Sequence, residues 1–278
     1  MKLVMTMLIK NEADIIGQNL DFHAAMGVDH FIIMDHGSSD ATLDLIAARD
    51  QGQISLYHQP DPGYYQAKWV TMMAQQAAAQ QKADWVINND ADEFWWPTQG
   101  SLKDVFSAVP ETIGGLYVHR FNFPPLREVS LLPFQETMTY RDLFSVNSLD
   151  QPLPGKFCHR GYQDVRVAQG NHDAEIPLIM EKQASADLEI FHFPMRSLRQ
   201  FTNKIIAGGL AYQRSPALDP GIGRTWRQLY ASLDSGGIED FYQQSCLDPM
   251  LLDQPASPSR WQQDLRLRDV LRRLATRN

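Results

Sequence analysis

The N-terminal part of the chain alternates between short apolar runs and longer segments with helical spacing. Runs of this length and composition are typical of buried strands. They cover residues 3–9, 31–34, 54–57 and 85–88. Between the first two runs, Ile16, Leu20 and Ala24 fall on one face of a helix. The pattern predicts an α/β fold with a mostly parallel central sheet flanked by helices, and a ligand site at the carboxyl ends of its strands.

The rest of the chain follows this pattern less closely. Prolines and glycines are frequent between residues 110 and 195, so we expect irregular strands and loops there that build a binding pocket. Helices are predicted further on. Leu198, Phe201 and Ile205 lie on one helical face, and another helix is predicted after Trp226.

The composition is typical of a soluble enzyme or binding domain, with 44% hydrophobic and 21% charged residues. A net charge of −8 argues against nucleic acid as the main partner, because nucleic-acid binders neutralise phosphates with Lys and Arg. The two cysteines, Cys158 and Cys246, are expected to be free thiols in a reducing cytosol. The first residues are predicted to form a strand rather than a signal peptide, and no run reaches the roughly 20 apolar residues that cross a bilayer.

The C-terminal segment 260–278 has the opposite charge to the rest of the chain. It holds six arginines against Asp264 and Asp269, a local net charge of +4, with apolar residues between them. This pattern predicts a basic amphipathic helix. One interpretation is a helix packed on the protein or on a second subunit, and the alternative is peripheral contact with anionic lipid at the inner face of the cell membrane. We therefore expect a cytoplasmic protein with or without that contact.

Acidic residues follow the fourth apolar run directly, at Asp90, Asp92 and Glu93. Ionised carboxylates beside a buried strand need a partner or a cation. Mg²⁺ or Mn²⁺ bound by Asp90 and Asp92 would keep positions free for water and for the oxygens of a diphosphate. The alternative is a solvated turn, but the aromatic run 94–96 makes both flanks apolar and favours the metal site.

The second apolar run also ends at an acid. Asp35 is followed by Gly37, which permits a tight turn, and Ser38 or Ser39 is placed to cap the next helix. Asp35 is placed to accept hydrogen bonds from a nucleotide base or ribose. Its alternative role is to form the turn.

Three motifs, after the first, second and fourth runs, together resemble the family 2 glycosyltransferases of GT-A fold. The motifs are Lys10-Asn11-Glu12, Asp35-x-Gly37-Ser38-x-Asp40-x-Thr42 and Asp90-x-Asp92. The run Asp90-Ala-Asp-Glu-Phe94 resembles one bacterial branch of that family. The resemblance covers about the first hundred residues, and the order and spacing of the motifs carry it.

The resemblance implies an inverting glycosyltransferase that moves a sugar from a nucleotide-diphosphate donor, a UDP-sugar first of all, to a hydroxyl of a glycan or lipid-linked acceptor. It implies Mn²⁺ or Mg²⁺ as cofactor. Asp35 would contact the base, Asp90 the ribose or a metal-bound water, and Asp92 the metal. Lys10 and Glu12 would border the nucleotide pocket.

The same resemblance divides the chain by role. Residues 1–110 would be the nucleotide-sugar half of a GT-A domain, 111–259 its acceptor half, and 260–278 the C-terminal helix. Many relatives have Pro-Thr-Tyr before Asn-Glu where this chain has Leu8-Ile9-Lys10, so no aromatic side chain is supplied there to stack on the base.

Further side chains complete the expected site. Lys68 would reach the diphosphate or be a solvated helix lysine, and Lys156 and Arg160 would help neutralise the diphosphate or be surface charges. His192 lies in an apolar strand and resembles the late histidine that GT-A enzymes supply to the metal; the alternative is a core histidine.

An inverting transfer needs a carboxylate that takes the proton from the attacking hydroxyl. The loop 170–175 is the best candidate segment, and we assign Asp173 as the base. The alternatives are Glu175, Asp142 and Asp164.

Two other functions are alternatives to transfer. A sugar nucleotidyltransferase would carry a glycine-rich loop after the first strand, and Leu8–Glu12 has no glycine. A glycosyltransferase-like protein that binds a nucleotide sugar without turnover stays open on sequence alone.

Overall fold

The computed structural model describes residues 1–127, 132–146, 151–219, 221–252 and 260–276. In these ranges the predicted α/β fold with a large, mostly parallel central sheet flanked by helices is confirmed. The strands are β1 Leu3–Ile9, β2 His30–Asp35, β3 Ile54–His58, β4 Trp85–Asn89, β5 Glu93–Pro97, β6 Ile113–Asn122, β7 Tyr140–Asp142, β8 Lys156–Arg160, β9 Arg166–Val167, β10 Ala174–Glu175, β11 Glu181–His192 and β12 Trp261–Gln263. The helices are α1 Ile16–Ala25, α2 Thr42–Ala47, α3 Gln66–Ala79, α4 Leu102–Ala108, α5 Phe134–Thr137, α6 Leu198–Gln213, α7 Arg224–Ala231, α8 Gly237–Ser245 and α9 Arg266–Ala275.

The chain forms two compact units. The first unit comprises Met1–Pro60, Tyr65–Arg120 and Leu153–Phe191. The second unit comprises Asp61–Tyr64, Phe121–Pro152 and His192–Asn278. The roles assigned above to 1–110 and 111–259 stay a prediction.

Eight strands form the main sheet, in the order β3-β2-β1-β4-β8-β6-β11-β5. β1 pairs in parallel with β2 and with β4, and β2 pairs in parallel with β3. Every residue of β4 is buried, as is every residue of β1 except Leu8, which explains why apolar residues predominate in both strands. Helix α3 lies against β1, β2 and β4. The carboxyl ends of these parallel strands therefore meet at one edge of the sheet, as predicted.

Beyond β4 the sheet becomes antiparallel, because β8 pairs antiparallel with both β4 and β6. The region 110–195 is thus more regular than expected, and it contains the 12-residue strand β11. The first residues of β11 are polar and mostly exposed, so the strand shows no apolar alternation in that part of its sequence. This is why the periodicity did not reveal it.

Gly161 ends the pairing of β8 at a point of close backbone approach. Its N–H donates to the carbonyl of Asp84 at 3.0 Å, and a Cβ at this position would lie 1.9 Å from the carbonyl oxygen of Ala83. We expect Gly161→Ala to lower the free energy of unfolding by at least about 2 kcal/mol, because a backbone oxygen cannot move aside as a side chain can. Urea denaturation measures the difference.

Gly17→Ala is the matched control for this substitution. The three atoms nearest to its added Cβ all belong to the guanidinium of Arg49, the far end of a flexible side chain, and alanine favours the helix α1. We expect the control to unfold at or above the wild-type urea concentration. Equal stability of Gly161→Ala and wild type would contradict the tight contact.

Two histidines are completely buried in the first unit. The Nε2 atom of His23 accepts a hydrogen bond from the backbone N–H of Trp95 at 3.1 Å. The Nδ1 atom of His159 lies 2.8 Å from the carbonyl oxygen of Arg160, and its Nε2 lies 3.1 Å from Nδ2 of Asn88. Burial lowers the pKa of His23 to about 3 and that of His159 to about 4. Both rings are therefore neutral at pH 7.

The second unit has a helical core of its own. Helix α6 begins at the cap Ser197, whose hydroxyl accepts from the N–H of Gln200, and packs with α7 and α8. The buried members of this cluster are Phe201, Ile205, Leu229, Ile238, Tyr242 and Cys246. The apolar stripe predicted along α6 thus faces its own unit.

The basic C-terminal segment also packs within the second unit. It contains a strand, β12, which pairs antiparallel with β7, and its helix α9 begins at Arg266 rather than at 260. The apolar face of α9 is buried, and Arg272 makes two hydrogen bonds to the carboxylate of Glu136. This packing favours the first of the two interpretations of the segment. No helix in the described residues is both long enough and apolar enough to span a membrane.

Candidate functional site

The acidic turn at the end of β4 lies at the carboxyl edge of the parallel strands. The chain reverses there, since the N–H of Glu93 donates to the carbonyl of Asp90 at 3.0 Å, and β5 starts at Glu93. The side chain of Asp90 is 32% exposed, whereas Asp92 is 4% exposed and Glu93 fully buried. The three predicted acids are therefore brought together, with one carboxylate open to solvent and two withdrawn from it.

A buried network holds this turn from behind. Asn19 of α1 donates from Nδ2 to the carbonyls of Ala91 and Glu93 at 2.9 and 2.8 Å. Its Oδ1 accepts from Nδ2 of Asn89 at 3.3 Å, and Oδ1 of Asn89 accepts from Nε1 of Trp95 at 2.9 Å. Every one of these side chains is buried. The backbone of the acidic turn is thus fixed by side chains of α1, β4 and β5.

Lys156 places a buried ammonium among these acids. Its side chain is 2% exposed, and Nζ hydrogen-bonds to Oδ2 of Asp90, lies 3.2 Å from Oε1 of Glu93 and 2.9 Å from the carbonyl oxygen of Gly170. Lys156 starts β8, which the antiparallel pairing sets beside β4. The alternative of a surface charge does not hold for this residue.

Glu93 is held between two cations. Its Oε1 also accepts from a guanidinium nitrogen of Arg120 at 3.0 Å. Burial raises the pKa of Glu93 above its ordinary value, and the ammonium of Lys156 opposes that rise. Its second oxygen, Oε2, is buried and has no hydrogen-bond partner.

The loop 169–173 closes over the same turn. Asn171, in the left-handed region with φ 60°, donates from Nδ2 to Oδ1 of Asp90 at 3.1 Å, and its own Oδ1 is buried without a partner. Gln66, the first residue of α3, anchors the loop by accepting from the N–H of Gly170 at 3.1 Å and from Nε2 of Gln169 at 2.9 Å. The loop thereby presents an amide oxygen next to Asp90.

The oxygens gathered here suit Mg²⁺ or Mn²⁺. Hard carboxylate and amide oxygens are what these ions bind, and the two unpartnered oxygens, on Glu93 and Asn171, would each be stabilised by a cation. Within the described ranges, no three His, Cys, Asp or Glu side chains could hold a metal as a group. Mg²⁺ often takes only one or two carboxylates, the rest of its ligands being waters and substrate phosphates. The residues present therefore fit such an ion.

The loops after β1 and β2 are joined to each other. The N–H of Asn11 donates to Oγ of Ser38 at 2.9 Å, its Oδ1 accepts from the N–H of Ser39 at 2.7 Å, and the N–H of Glu12 donates to Oγ1 of Thr42 at 2.8 Å. Lys10 is half-buried and Glu12 buried in the same loop. Two of the three sequence motifs are thus in contact.

Asp35 forms the turn after β2. Its carboxylate accepts from the N–H groups of Gly37 and Ser38 at 3.1 Å and lies 3.6 Å from Nδ1 of His58. The residue is 2% exposed. This is the turn-forming role considered above, and its contact with a base stays a prediction.

Asp173, the predicted base, belongs to a small polar cluster. Its Oδ1 accepts from Tyr117 at 2.9 Å, from Lys182 at 2.6 Å and from the N–H of Ala174 at 2.8 Å. Burial favours the protonated form, but these donors outweigh it and hold the pKa of Asp173 below its usual range. The carboxylate is therefore ionised at neutral pH, and it lies two residues beyond Asn171, which contacts Asp90.

Other predicted side chains lie as follows. Lys68 is exposed on α3. His192 ends β11 in the second unit, with Nδ1 2.6 Å from Oδ1 of Asn122. Arg160 donates to the carbonyls of Val109, Pro110 and Ile113, which gives it a structural role. The roles of Lys68 and His192 at the site stay predictions.

The remaining candidates for the base differ in exposure. Asp164 and Glu175 are exposed, whereas Asp142 is buried and makes two hydrogen bonds with Arg260. Both carboxylate oxygens of Asp142 are therefore engaged by this guanidinium.

Arg120, Asn171 and Gln66 were not singled out from the sequence. Arg120 lies at the polar end of an otherwise apolar strand, which is the one signal that could have marked it. Asn171 adjoins the glycine at 170, a sign of a tight loop, but its contact with Asp90 depends on pairing across 81 residues.

The model of glycosyltransferase family 92 matches residues 5–142, just under half of the chain. The matched segment includes the loops after β1 and β2 and the whole acidic turn. This confirms the predicted enzyme class: the chain is a glycosyltransferase. The match is to family 92, so it does not confirm the finer resemblance to family 2.

Among solved structures, the chain is similar to glucosyl-3-phosphoglycerate synthase from Mycobacterium tuberculosis. In its complex with Mn²⁺, UDP and glucosyl-3-phosphoglycerate the identity is 14%, over 79% of this chain and 82% of that one, with a TM-score of 0.37. In its complex with phosphoglyceric acid the identity is 16%, over 57% of this chain and 56% of that one, with a TM-score of 0.33. A mycobacterial protein has 15% identity, over 79% of this chain and 76% of that one, with a TM-score of 0.39. Likeness at this level defines no substrate, metal or acceptor.

No curated protein matches the chain in sequence.

Proposed function

We propose that this glycosyltransferase transfers a sugar from a nucleotide-diphosphate donor, a UDP-sugar first of all, to a hydroxyl of a glycan or lipid-linked acceptor, and that it uses Mn²⁺ or Mg²⁺. The observation that carries the proposal is the acidic turn of Asp90, Asp92 and Glu93 at the carboxyl edge of a parallel sheet, with two unpartnered oxygens, one on Glu93 and one on Asn171 of the adjoining loop. This edge is where such sheets bind nucleotides. The turn lies within the segment that matches a glycosyltransferase family.

Asp90 and Asp92 would hold the metal in this proposal. A bound Mn²⁺ or Mg²⁺ supplies positive charge that offsets the charge growing on the departing diphosphate. Glu93 and Asn171 fix the position of Asp90 through Lys156 and through a direct hydrogen bond.

The nucleotide would lie along the joined loops of β1 and β2. In this proposal Asp35 holds the turn that faces the base, and Lys10 and Glu12 border the nucleotide pocket. Lys68 would approach the diphosphate from α3. Residues 111–259 would supply the acceptor pocket.

Asp173 is the proposed base. Its carboxylate is ionised and hydrogen-bonded by Tyr117 and Lys182, which orient it. A base acts in its deprotonated form, so the lowered pKa keeps it ready for the proton of the acceptor hydroxyl across the neutral range.

Asp173→Asn tests this role. The variant keeps the shape of the side chain and removes the proton acceptor, so we expect turnover to fall by about 10²–10⁴-fold while the dissociation constant of the donor stays unchanged. Glu175→Gln, a change at an exposed carboxylate in the same loop, serves as the control. Wild-type turnover in Asp173→Asn would assign the base to another residue.

A donor panel tests the function as a whole. The protein is incubated with nucleotide sugars and Mn²⁺ or Mg²⁺, with and without a chelator, and the released nucleoside diphosphate is measured. We expect metal-dependent release from one class of donor. If no donor is consumed while UDP with Mn²⁺ still raises the melting temperature, the protein binds nucleotide sugars without turnover. The anomeric configuration of the product, read by NMR, tests the inversion that the resemblance to family 2 implies.

A further inference from the structure

Lys156 already acts as a cation at the acidic turn. All three N–H donors of its ammonium have an oxygen acceptor at hand, on Asp90, Glu93 and Gly170. Its side chain is 2% exposed, so water competes little with these contacts. The carboxylate of Asp90 therefore has a positively charged partner before any metal arrives.

A divalent ion and the Lys156 ammonium would compete for the carboxylate of Asp90. Asp90 offers two oxygens, of which Oδ2 contacts the ammonium and Oδ1 the amide of Asn171. A metal bound at Asp90 would meet the positive charge of Lys156 across one carboxylate, and water screens the repulsion little on the side of the buried ammonium. In the protein without nucleotide, the ammonium thus disfavours the metal.

A diphosphate changes this balance. The acidic turn already holds two cations, Lys156 and Arg120, against its carboxylates. A divalent metal alone adds two further positive charges and leaves the turn short of negative charge. The phosphate oxygens of a nucleoside diphosphate restore the negative charge and offer the ammonium new acceptors, so that Asp90 is released to the metal.

We propose that Lys156 is an exchangeable internal cation: it occupies Asp90 in the free protein, and it moves to the diphosphate when nucleotide and metal bind together. Metal and nucleotide then each bind weakly alone and strongly in the presence of the other. The inference rests on the proposed function, because it needs a metal and a nucleotide at this turn. The two unpartnered oxygens, on Glu93 and Asn171, are where the metal would gain ligands once the ammonium leaves.

The test is the affinity for Mn²⁺ with and without UDP, measured by Mn²⁺ electron paramagnetic resonance and by calorimetry. Lys156→Met keeps the length of the side chain and removes the charge. We expect it to bind Mn²⁺ alone at least about tenfold more tightly than wild type, and to bind UDP in saturating Mn²⁺ at least about tenfold more weakly. Opposite changes in the two affinities follow from exchange and not from simple loss of structure.

Lys103→Met is the matched control, because Lys103 also pairs with an aspartate of the first unit, Asp29 at 2.5 Å. It should leave both affinities unchanged. Lys156→Gln, which keeps an amide donor for Asp90, should change them in the same directions and serves if Lys156→Met does not fold. Circular dichroism checks folding in each case.

The outcomes separate the two ideas. If wild type binds UDP with Mn²⁺ but both Lys156 variants bind Mn²⁺ alone as wild type does or more weakly, Lys156 is a structural cation and the exchange is wrong. If wild type binds neither ion nor nucleotide, the proposed function fails first.

Discussion

Asp92→Asn is expected to lower donor turnover in saturating Mn²⁺ by at least about 100-fold, because removal of one charged group that serves the departing diphosphate has an effect of this size. Asparagine has the shape of aspartate, so the buried side chain at this position, 4% exposed, keeps its packing. The negative charge of Asp92 contributes to the raised pKa of Glu93, which means that the two carboxylates repel each other. The variant removes this repulsion, so it should leave the fold intact. Nucleoside diphosphate release measures turnover, and Mn²⁺-dependent UDP binding should weaken in parallel.

Asp29→Asn provides the comparison for this substitution. Asp29 is an aspartate of the first unit that pairs with Lys103 on α4, and its loss should leave turnover unchanged. If Asp92→Asn keeps the wild-type Mn²⁺-dependent affinity for UDP, the metal does not bind at this turn. Turnover that is independent of chelator in the wild type would do the same.

Mild acid is expected to destabilise the protein through His23 and His159. An unfolded histidine has a pKa near 6.5, whereas the folded values are about 3 and about 4, so below pH 6.5 the unfolded chain binds two protons that the folded chain does not. The stabilisation is fully present above pH 6.5 and is lost as the pH falls towards the folded values. Each ring contributes about 1.4 kcal/mol per pH unit well below 6.5, or roughly 2.7 for the pair.

Urea denaturation between pH 7 and pH 5 checks this expectation, because most carboxylates stay ionised over this range. His159→Gln should reduce the slope by the share of one ring, about 1.4 kcal/mol per pH unit, and lower the stability at pH 7. His172, whose pKa burial also lowers to about 4, should keep its own share of the slope. His58→Gln, at a histidine whose side chain is 66% exposed, is the surface comparison for His159→Gln. A free energy of unfolding that stays constant from pH 7 to pH 5 would mean that the buried rings take up protons in the folded state.

The four parallel strands could be predicted because each is an apolar run bounded by polar residues. The acidic turn could be predicted as well, since charge directly after a buried strand is unusual. β11 could not, because the first half of that strand is polar and exposed. Its regularity comes from its place in the sheet and leaves no period in the sequence.

The side-chain contacts around the acidic turn could not be predicted from the sequence, for another reason. Lys156 was recognised as a cation, but its ion pair with Asp90 joins residues 66 positions apart, and Arg120 reaches Glu93 over 27. Such contacts are set by the antiparallel pairing of β8 with β4 and β6, which no local pattern specifies. Asp35 shows the converse, since its turn-forming hydrogen bonds are local and were among the predicted alternatives.

The polar network behind the acidic turn bears on how this glycosyltransferase chooses its donor. The amide of Trp95, the side chain of Asn89 and the carbonyls of Ala91 and Glu93 are all engaged by buried groups. The amide proton of Trp95 should exchange with deuterium only in the slowest, globally unfolding class. A network held this firmly cannot change shape to fit different sugars. Discrimination between sugars therefore has to come from the loops around the acidic turn. Laboratory evolution of new donor preferences should vary those loops and leave the network unchanged.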